Sequence, residues 1–350
     1  MSSLTEVAHV SRKIIKYGGI GLIAFLILWS GGVAIISAYR AAHPPYVAPT
    51  VRFGVLKKIT FPEKQFEVKN FTAELPDDKF PSFKDQANIY VIYRSQSPLG
   101  AMNEAKKTAV AMGFKGEARE SATGVYQFSD PETNRTLEMN VLQSSFKMSY
   151  PYLTDQMLQN PENMPSINEA ITQAKSYLDR IGKLPEELAT GEQKTSLWKI
   201  SFNGLQEVEG LSEADIVRVD FFRKNMVEGV EMVSSDPKKA PVSVLVSGSS
   251  VNDKRIVEVN YKHLEIDTSP ASLSTYPIKT VEEAFDDLKK GNYWPASDSQ
   301  TKDVVIRKIY LAYFEPVDLN NYLQPVYVFE SDKQSNFVGY VRAVTDNYAK

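Results

Sequence analysis

Four carboxylates fall within six residues of "TVEEAFDDLKKG" (280–291): Glu282, Glu283, Asp286 and Asp287. On a helix Glu283 and Asp287 share a face, as do Glu282 and Asp286, a spacing compatible with paired acid/base work. Calcium asks for an oxygen-rich loop rather than one helix face. No histidine follows position 263 to complete a transition-metal site. The order of charge suits another role: the acids open the segment and Lys289 and Lys290 close it, which compensates the helix macrodipole. These residues are expected to form the wet face of a helix.

Other chemistry is sparse. His9, His43 and His263 are the three histidines, too scattered for a multi-histidine metal centre. A Ser-His-Asp triad would have to run through His263, in a cavity joining it to a carboxylate and a serine. Ser144–Lys147 and Ser196–Lys199 match the S-x-x-K spacing of acyl-enzymes. That chemistry places Ser and Lys one helical turn apart, whereas both segments have strand composition, in which i and i+3 face opposite ways. "VSGSSVNDKR" (246–255) lies between two strand-like runs and is expected to be a turn. No nucleotide-binding or metalloprotease motif is present. The chain has no cysteine, which excludes disulfides and thiol nucleophiles and suits an oxidising compartment. The expectation is a non-catalytic protein with no metal or cofactor.

The elements that position these residues begin with "GGIGLIAFLILWSGGVAIISA" (18–38), uncharged and long enough to cross a bilayer. Arg12, Lys13 and Lys16 precede it and Arg40 follows. The positive-inside rule then puts residues 1–17 in the cytoplasm, a plasma-membrane helix at 18–39, and residues 41–350 outside. A cleaved signal peptide is the rival, with a shorter apolar core and a small-residue cleavage site. Ser30, Ala34 and Ala38 recur every four residues and offer a packing face for another helix, in a homo- or hetero-oligomer. The first forty residues are basic and the remainder acidic, which argues against nucleic acid.

Three prolines in "AAHPPYVAPTVRFG" point to a stalk over 40–59. Beyond it a pattern recurs: a short helix with Glu-Ala within it (104–105, 169–170, 283–284) and glycine at its end, then several strands. Ser166 with Glu169 and Thr280 with Glu283 have the spacing of capping boxes. The expected class is α+β, helices lying across antiparallel sheet, in modules at 60–152, 166–268 and 275–350. Tyr310, Tyr313, Tyr322 and Tyr327 cluster in the last module; in alternating strands about half would be core, and those on an exposed sheet face are a candidate partner surface. Asn70 and Asn134 begin glycosylation sequons.

The helix-then-strands units of 166–264 and of "TVEEAFDDLKKG…IRKIYLAYFEP…LQPVYVFESD…VGYVRAV" resemble PepSY or cystatin-like modules. The latter also resembles the C-terminal half of YycH/YycI-type regulators, single-pass extracytoplasmic proteins that modulate a sensor kinase. The matching positions are Glu283, Ala284, Leu288, Gly291, Tyr313, Pro325, Val326 and Tyr327. They are packing positions and cover roughly the last 190 residues with the second unit. The resemblance implies regulation of a membrane sensor or envelope protease through contacts with another membrane or envelope protein. A structural subunit of a secretion, pilus or surface-layer assembly is the alternative, and an unrecognised hydrolase ranks below both.

Overall fold

The computed structural model describes residues 4–42, 46–61, 68–93, 98–159, 163–224, 229–235, 237, 239–297, 301–316, 319–333 and 335–350. Two compact units result, 1–48 and 49–350.

The first unit is helix α1 (Leu4–Ala42). It has no proline in its length and stops just before Pro44 and Pro45, which cannot continue a helix. Its stretch Lys16–Arg40 is apolar and long enough to span a bilayer, a criterion that a signal sequence also meets. The hydroxyls of Ser30 and Ser37 donate back to the carbonyls of Ile27 (3.0 Å) and Ala34 (2.8 Å), so neither is left unsatisfied.

The second unit is mixed α+β, mostly sheet. Two strands come first, β1 (Asn70–Ala73) and β2 (Gln86–Ile92). Helix α2 (Pro98–Ala111) precedes β3 (Arg119–Ala122), β4 (Val125–Asp130), β5 (Arg135–Asn140) and β6 (Ser145–Ser149). Helices α3 (Ile167–Arg180) and α4 (Glu186–Ala189) lead into β7 (Gln193–Ser201), β8 (Gly204–Val208) and β9 (Ile216–Phe221). Next come β10 (Met232–Val233), β11 (Val242–Ser247), the one-turn α5 (Asn252–Arg255) and β12 (Ile256–Lys262). Strands β13 (Ile266–Asp267) and β14 (Leu273–Pro277) precede α6 (Val281–Lys289). The chain closes with β15 (Trp294–Pro295), β16 (Asp303–Phe314), β17 (Tyr322–Ser331) and β18 (Val338–Arg342).

Sheet one runs β3-β4-β5-β6-β12-β11-β9-β7-β8, antiparallel throughout. Its two helix-plus-strand halves join edge to edge where β6 pairs with β12, Ser145 opposite Lys262 and Ser149 opposite Glu258. Strand alternation sends Leu137, Phe146, Val219 and Val244 to the face covered by α2 and α3, in one continuous core. Ile216, Leu245 and Val257 point the other way, under Tyr150 and Leu158. A short polar chain pins that cover: Tyr150 donates to Asp155 (2.5 Å), and Lys254 reaches the same carboxylate (2.6 Å).

Sheet two is assembled from both ends of the second unit. Strands β16, β17 and β18 form an antiparallel meander, β1 adds in parallel to β16, and β2 bridges β17 to β14 and β13. Helix α6 covers one face through Val281, Ala284, Phe285 and Leu288. Ile59, Phe61 and Trp294 cover the other against Phe314 and Val328.

Three expected boundaries are corrected by this pairing. The stalk does not extend to 59: Leu56 and Ile59 are 1% and 3% exposed, and Phe53 stacks on Tyr322 at 4.8 Å. Leu56 bridges Ala349 in parallel, and Lys58 donates to the carbonyl of Lys350. Residues 49–59 therefore belong to the folded body, because their apolar side chains gain burial against the C-terminus. The unit 60–152 is likewise split, β1 and β2 joining sheet two and α2 with β3–β6 joining sheet one. Residues 266–267, placed in the 166–268 unit, pair with β2 in sheet two.

The helix ends follow a common rule. Gly113, Gly182 and Gly291 all have φ in the left-handed region (94°, 67° and 84°). The next residue, Phe114, Lys183 or Asn292, donates its N–H back to Ala109, Leu178 or Asp287. At the starts, Ser166 and Thr280 complete the capping boxes with Glu169 and Glu283. Glu104 differs: it is a full turn further into α2 than Glu169 and Glu283 are into their helices.

Candidate functional site

Three of the four acids on α6 are engaged in capping and ion pairs. Glu283 accepts from the Thr280 N–H (2.9 Å) and caps the helix, Asp286 pairs with Lys289 (2.7 Å), and Asp287 pairs with Lys279 (2.7 Å). The Lys289 hydrogen bond holds the Asp286 carboxyl below its ordinary range. Among the described residues no group of three His, Asp or Glu side chains is placed to hold a metal ion.

The tyrosines proposed as a partner surface are structural. Tyr313 and Tyr327 are buried, their hydroxyls donating to the carbonyls of Asn88 (2.9 Å) and Lys279 (2.6 Å). Burial pushes the Tyr327 phenol up to about 12. Tyr310 donates to Glu330 (2.6 Å), and Tyr322 lies half-buried under Phe53. The correction has a simple cause: β16 and β17 are interior strands of a sheet covered on both faces. Ser30, Ala34 and Ala38 lie exposed on α1, one turn apart. The S-x-x-K pairs lie on strand or turn, Ser196 and Lys199 both within β7 and Lys147 paired with Glu258 (3.5 Å) from β6.

The most site-like feature is a cavity of about 450 Å³ beneath α2, where the two halves of sheet one meet. Met139, Phe146, Tyr261 and His263 line its strand side; Ala101, Glu104, Ala105 and Thr108 line its helix side. Lys183, Glu265 and Tyr93 complete it, with the β5–β6 turn from Asn140 to Ser145. That turn is built by Asn140, whose Oδ1 accepts from the backbone N–H of Leu142 (3.1 Å) and Gln143 (3.0 Å). Ser144 takes a left-handed φ of 52° at its close, as Asn134 does (57°) at the end of the β4–β5 turn. Turn geometry thus accounts for the unusual serine backbone. The rings of Phe146 and Tyr261 stack in parallel, 4.9 Å apart and 6° from coplanar.

Electrostatics divides the cavity. His263 is 6% exposed and its Nε2 lies 3.0 Å from the Glu187 Oε1. Burial pushes the imidazole pKa down against that hydrogen bond, while the bond to His263 takes the Glu187 carboxyl down to about 2. Near neutral pH the pair is therefore a neutral imidazole donating to a carboxylate. Lys183 is half-buried, and burial lowers its pKa while Glu104 and Glu265 act in the opposite direction. Among the described residues neither acid reaches it within the 4.0 Å of an ion pair.

His263 was identifiable in the sequence as the one histidine available to a folded site, and Ser144 through its S-x-x-K spacing. Lys183, Glu187 and Glu265 were missed. Lys183 follows the helix-ending Gly182, and the pairing of β6 with β12 brings Glu104 of the other half to the same cavity.

No family model and no curated protein matches the chain. Among solved structures, it is similar to an uncharacterized protein from Eubacterium rectale. Identity is 15%, covering 79% of this chain and 88% of that one, with a TM-score of 0.38. The functional reading therefore rests on the geometry of this chain.

Proposed function

We propose that the protein is anchored in the plasma membrane by α1 and presents its body outside the cytoplasm. There it acts through protein–protein contacts to modulate a membrane sensor or an envelope protease. The observation that carries this reading is the apolar stretch Lys16–Arg40 of α1, preceded in sequence by Arg12 and Lys13 and followed in sequence by a second compact unit. In this reading the α2 and α3 halves of sheet one and the α6 layer of sheet two are copies of one PepSY- or cystatin-like module. The chain also has no cysteine, so single thiols can be introduced cleanly. In intact cells a membrane-impermeant maleimide should label Ser297→Cys and spare Ser2→Cys; the reverse pattern would sink the proposed topology. A photo-cross-linker at Ala34 should then capture one membrane protein. Stoichiometric recovery of several envelope proteins would favour a subunit of an assembly instead.

A hydrolase is the second reading, favoured by one observation: the cavity brings His263, hydrogen-bonded to Glu187, together with Ser144 and Ser145. It ranks lower because, among the described residues, neither serine hydroxyl hydrogen-bonds the imidazole. Labelling by a fluorophosphonate probe, lost in Ser144→Ala or Ser145→Ala, would raise it above the first.

A further inference from the structure

The cavity beneath α2 carries charges of both signs that do not neutralise one another by contact. Lys183 is half-buried there without an ion pair among the described residues, so its ammonium has given up water without gaining a carboxylate. Glu104 and Glu265 border the same cavity, exposed, and no hydrogen bond engages either side chain among the described residues. All three groups interact electrostatically, yet among the described residues no acid comes within 4.0 Å of the lysine. The space between them is open, and its inner wall is apolar: Met139, Ala105 and the stacked rings of Phe146 and Tyr261. At about 450 Å³ it lies in the size range, roughly 300–1,000 Å³, in which small molecules bind.

We propose that this cavity is a binding site for a small zwitterion of the amino-acid or short-peptide class. The ligand's carboxylate lies against Lys183, its ammonium between Glu104 and Glu265, and its side chain on the Phe146–Tyr261 wall. A ligand of one sign satisfies only half of the site. A simple anion would reach Lys183 against the field of two carboxylates, and a simple cation would leave the lysine unpaired. A zwitterion meets both requirements at once. The His263 imidazole, neutral and already hydrogen-bonded to Glu187 behind it, lines the cavity as a polar group without a charge of its own.

The test uses the full chain in detergent micelles and isothermal titration calorimetry with three related probes. These are alanyl-phenylalanine, its N-acetylated form, which keeps only the carboxylate, and its C-terminal amide, which keeps only the ammonium. The zwitterion is expected to bind with a Kd below about 1 mM and each blocked form about tenfold more weakly. Lys183→Gln should weaken the zwitterion and the N-acetylated probe but not the amide. The pair Glu104→Gln and Glu265→Gln should weaken the zwitterion and the amide. Ala101→Phe, which fills the cavity without changing its charge, should remove binding of all three. No heat from the zwitterion up to about 10 mM, equal affinity for a blocked form, or an unaffected Lys183→Gln variant would each overturn the proposal. The probe comparison on the unaltered chain keeps the test decisive if a variant fails to fold. Its outcome is independent of any membrane partner, so this inference and the protein-contact reading can fail separately.

Discussion

His263 is the only histidine between residues 49 and 350, and its burial ties the stability of the body to pH. The unfolded chain protonates this imidazole below its ordinary 6.5, whereas burial holds the folded pKa lower. The unfolded state thus binds more protons as pH falls through 6.5, and stability falls with it. The Glu187 carboxyl, depressed to about 2 in the fold, contributes in a separate window, present above its ordinary 4.5 and lost toward 2. Thermal midpoints should therefore drop between pH 7 and pH 5, and His263→Gln should flatten that drop while retaining a donor for Glu187. Identical slopes in the two proteins would show that the pair does not set this dependence. Asp215 makes a second residue-scale case: 1% exposed, it accepts from the Ile200 N–H at 2.8 Å. Asp215→Ala strands that N–H and should cost about 1–3 kcal/mol in denaturant unfolding, with Asp215→Asn milder. The importance of the histidine was legible in the sequence because the chain has so few. The aspartate was not, since nothing in "LSEADIV" distinguishes a buried acid from an exposed one.

At the scale of elements, the helices were the legible part. Ser166 and Glu169, Thr280 and Glu283, and glycine at the ends of α2, α3 and α6 are local signals, and the folded chain uses them as such. Ser166→Ala and Thr280→Ala should each cost about 1 kcal/mol, because each leaves an amide at the helix start uncapped. The neighbouring acids give the contrasting case. Glu282→Gln and Asp286→Asn should change stability by no more than about 0.5 kcal/mol, and calcium should leave the melting temperature where it was. A calcium-dependent rise lost in these variants would restore the acid cluster as a site. Strand partners were less legible. The run "QANIYVI" reads as a strand from its composition, but nothing within it says that it pairs with Leu273–Pro277 and with Tyr322 and Leu323. The tyrosines show the same gap, because alternation fixes which residues share a face and tertiary contact decides whether that face is covered.

For the whole molecule, the decisive fact is that the second unit's last residues return to its first ones. Prolines and the lack of periodicity make 40–59 look like a spacer, yet Leu56 and Ile59 are among the most buried residues of the body. Leu56→Ala should cost about 2–5 kcal/mol, as for a core leucine; a surface-like change under 0.5 kcal/mol would return this segment to the stalk. Limited proteolysis should correspondingly spare 49–59. The cavity follows from the same non-local order, since its helix, turn and rim belong to segments that come together only when the two halves of sheet one join.

That order also sets a timetable for the nascent chain. Sheet one is complete in sequence at Lys262, so it can form while the rest is still being made. Strands β1 and β2 emerge earlier than any of it but find their partners only in residues 266–331. The Leu56 segment waits longer still, for Ala349 and Lys350. At about 5–20 residues per second, the oldest part of the body spends tens of seconds as unpaired apolar chain after it is synthesised. Its hazard is early aggregation rather than low final stability, and an overlong pause late in translation should lower yield without altering the finished protein.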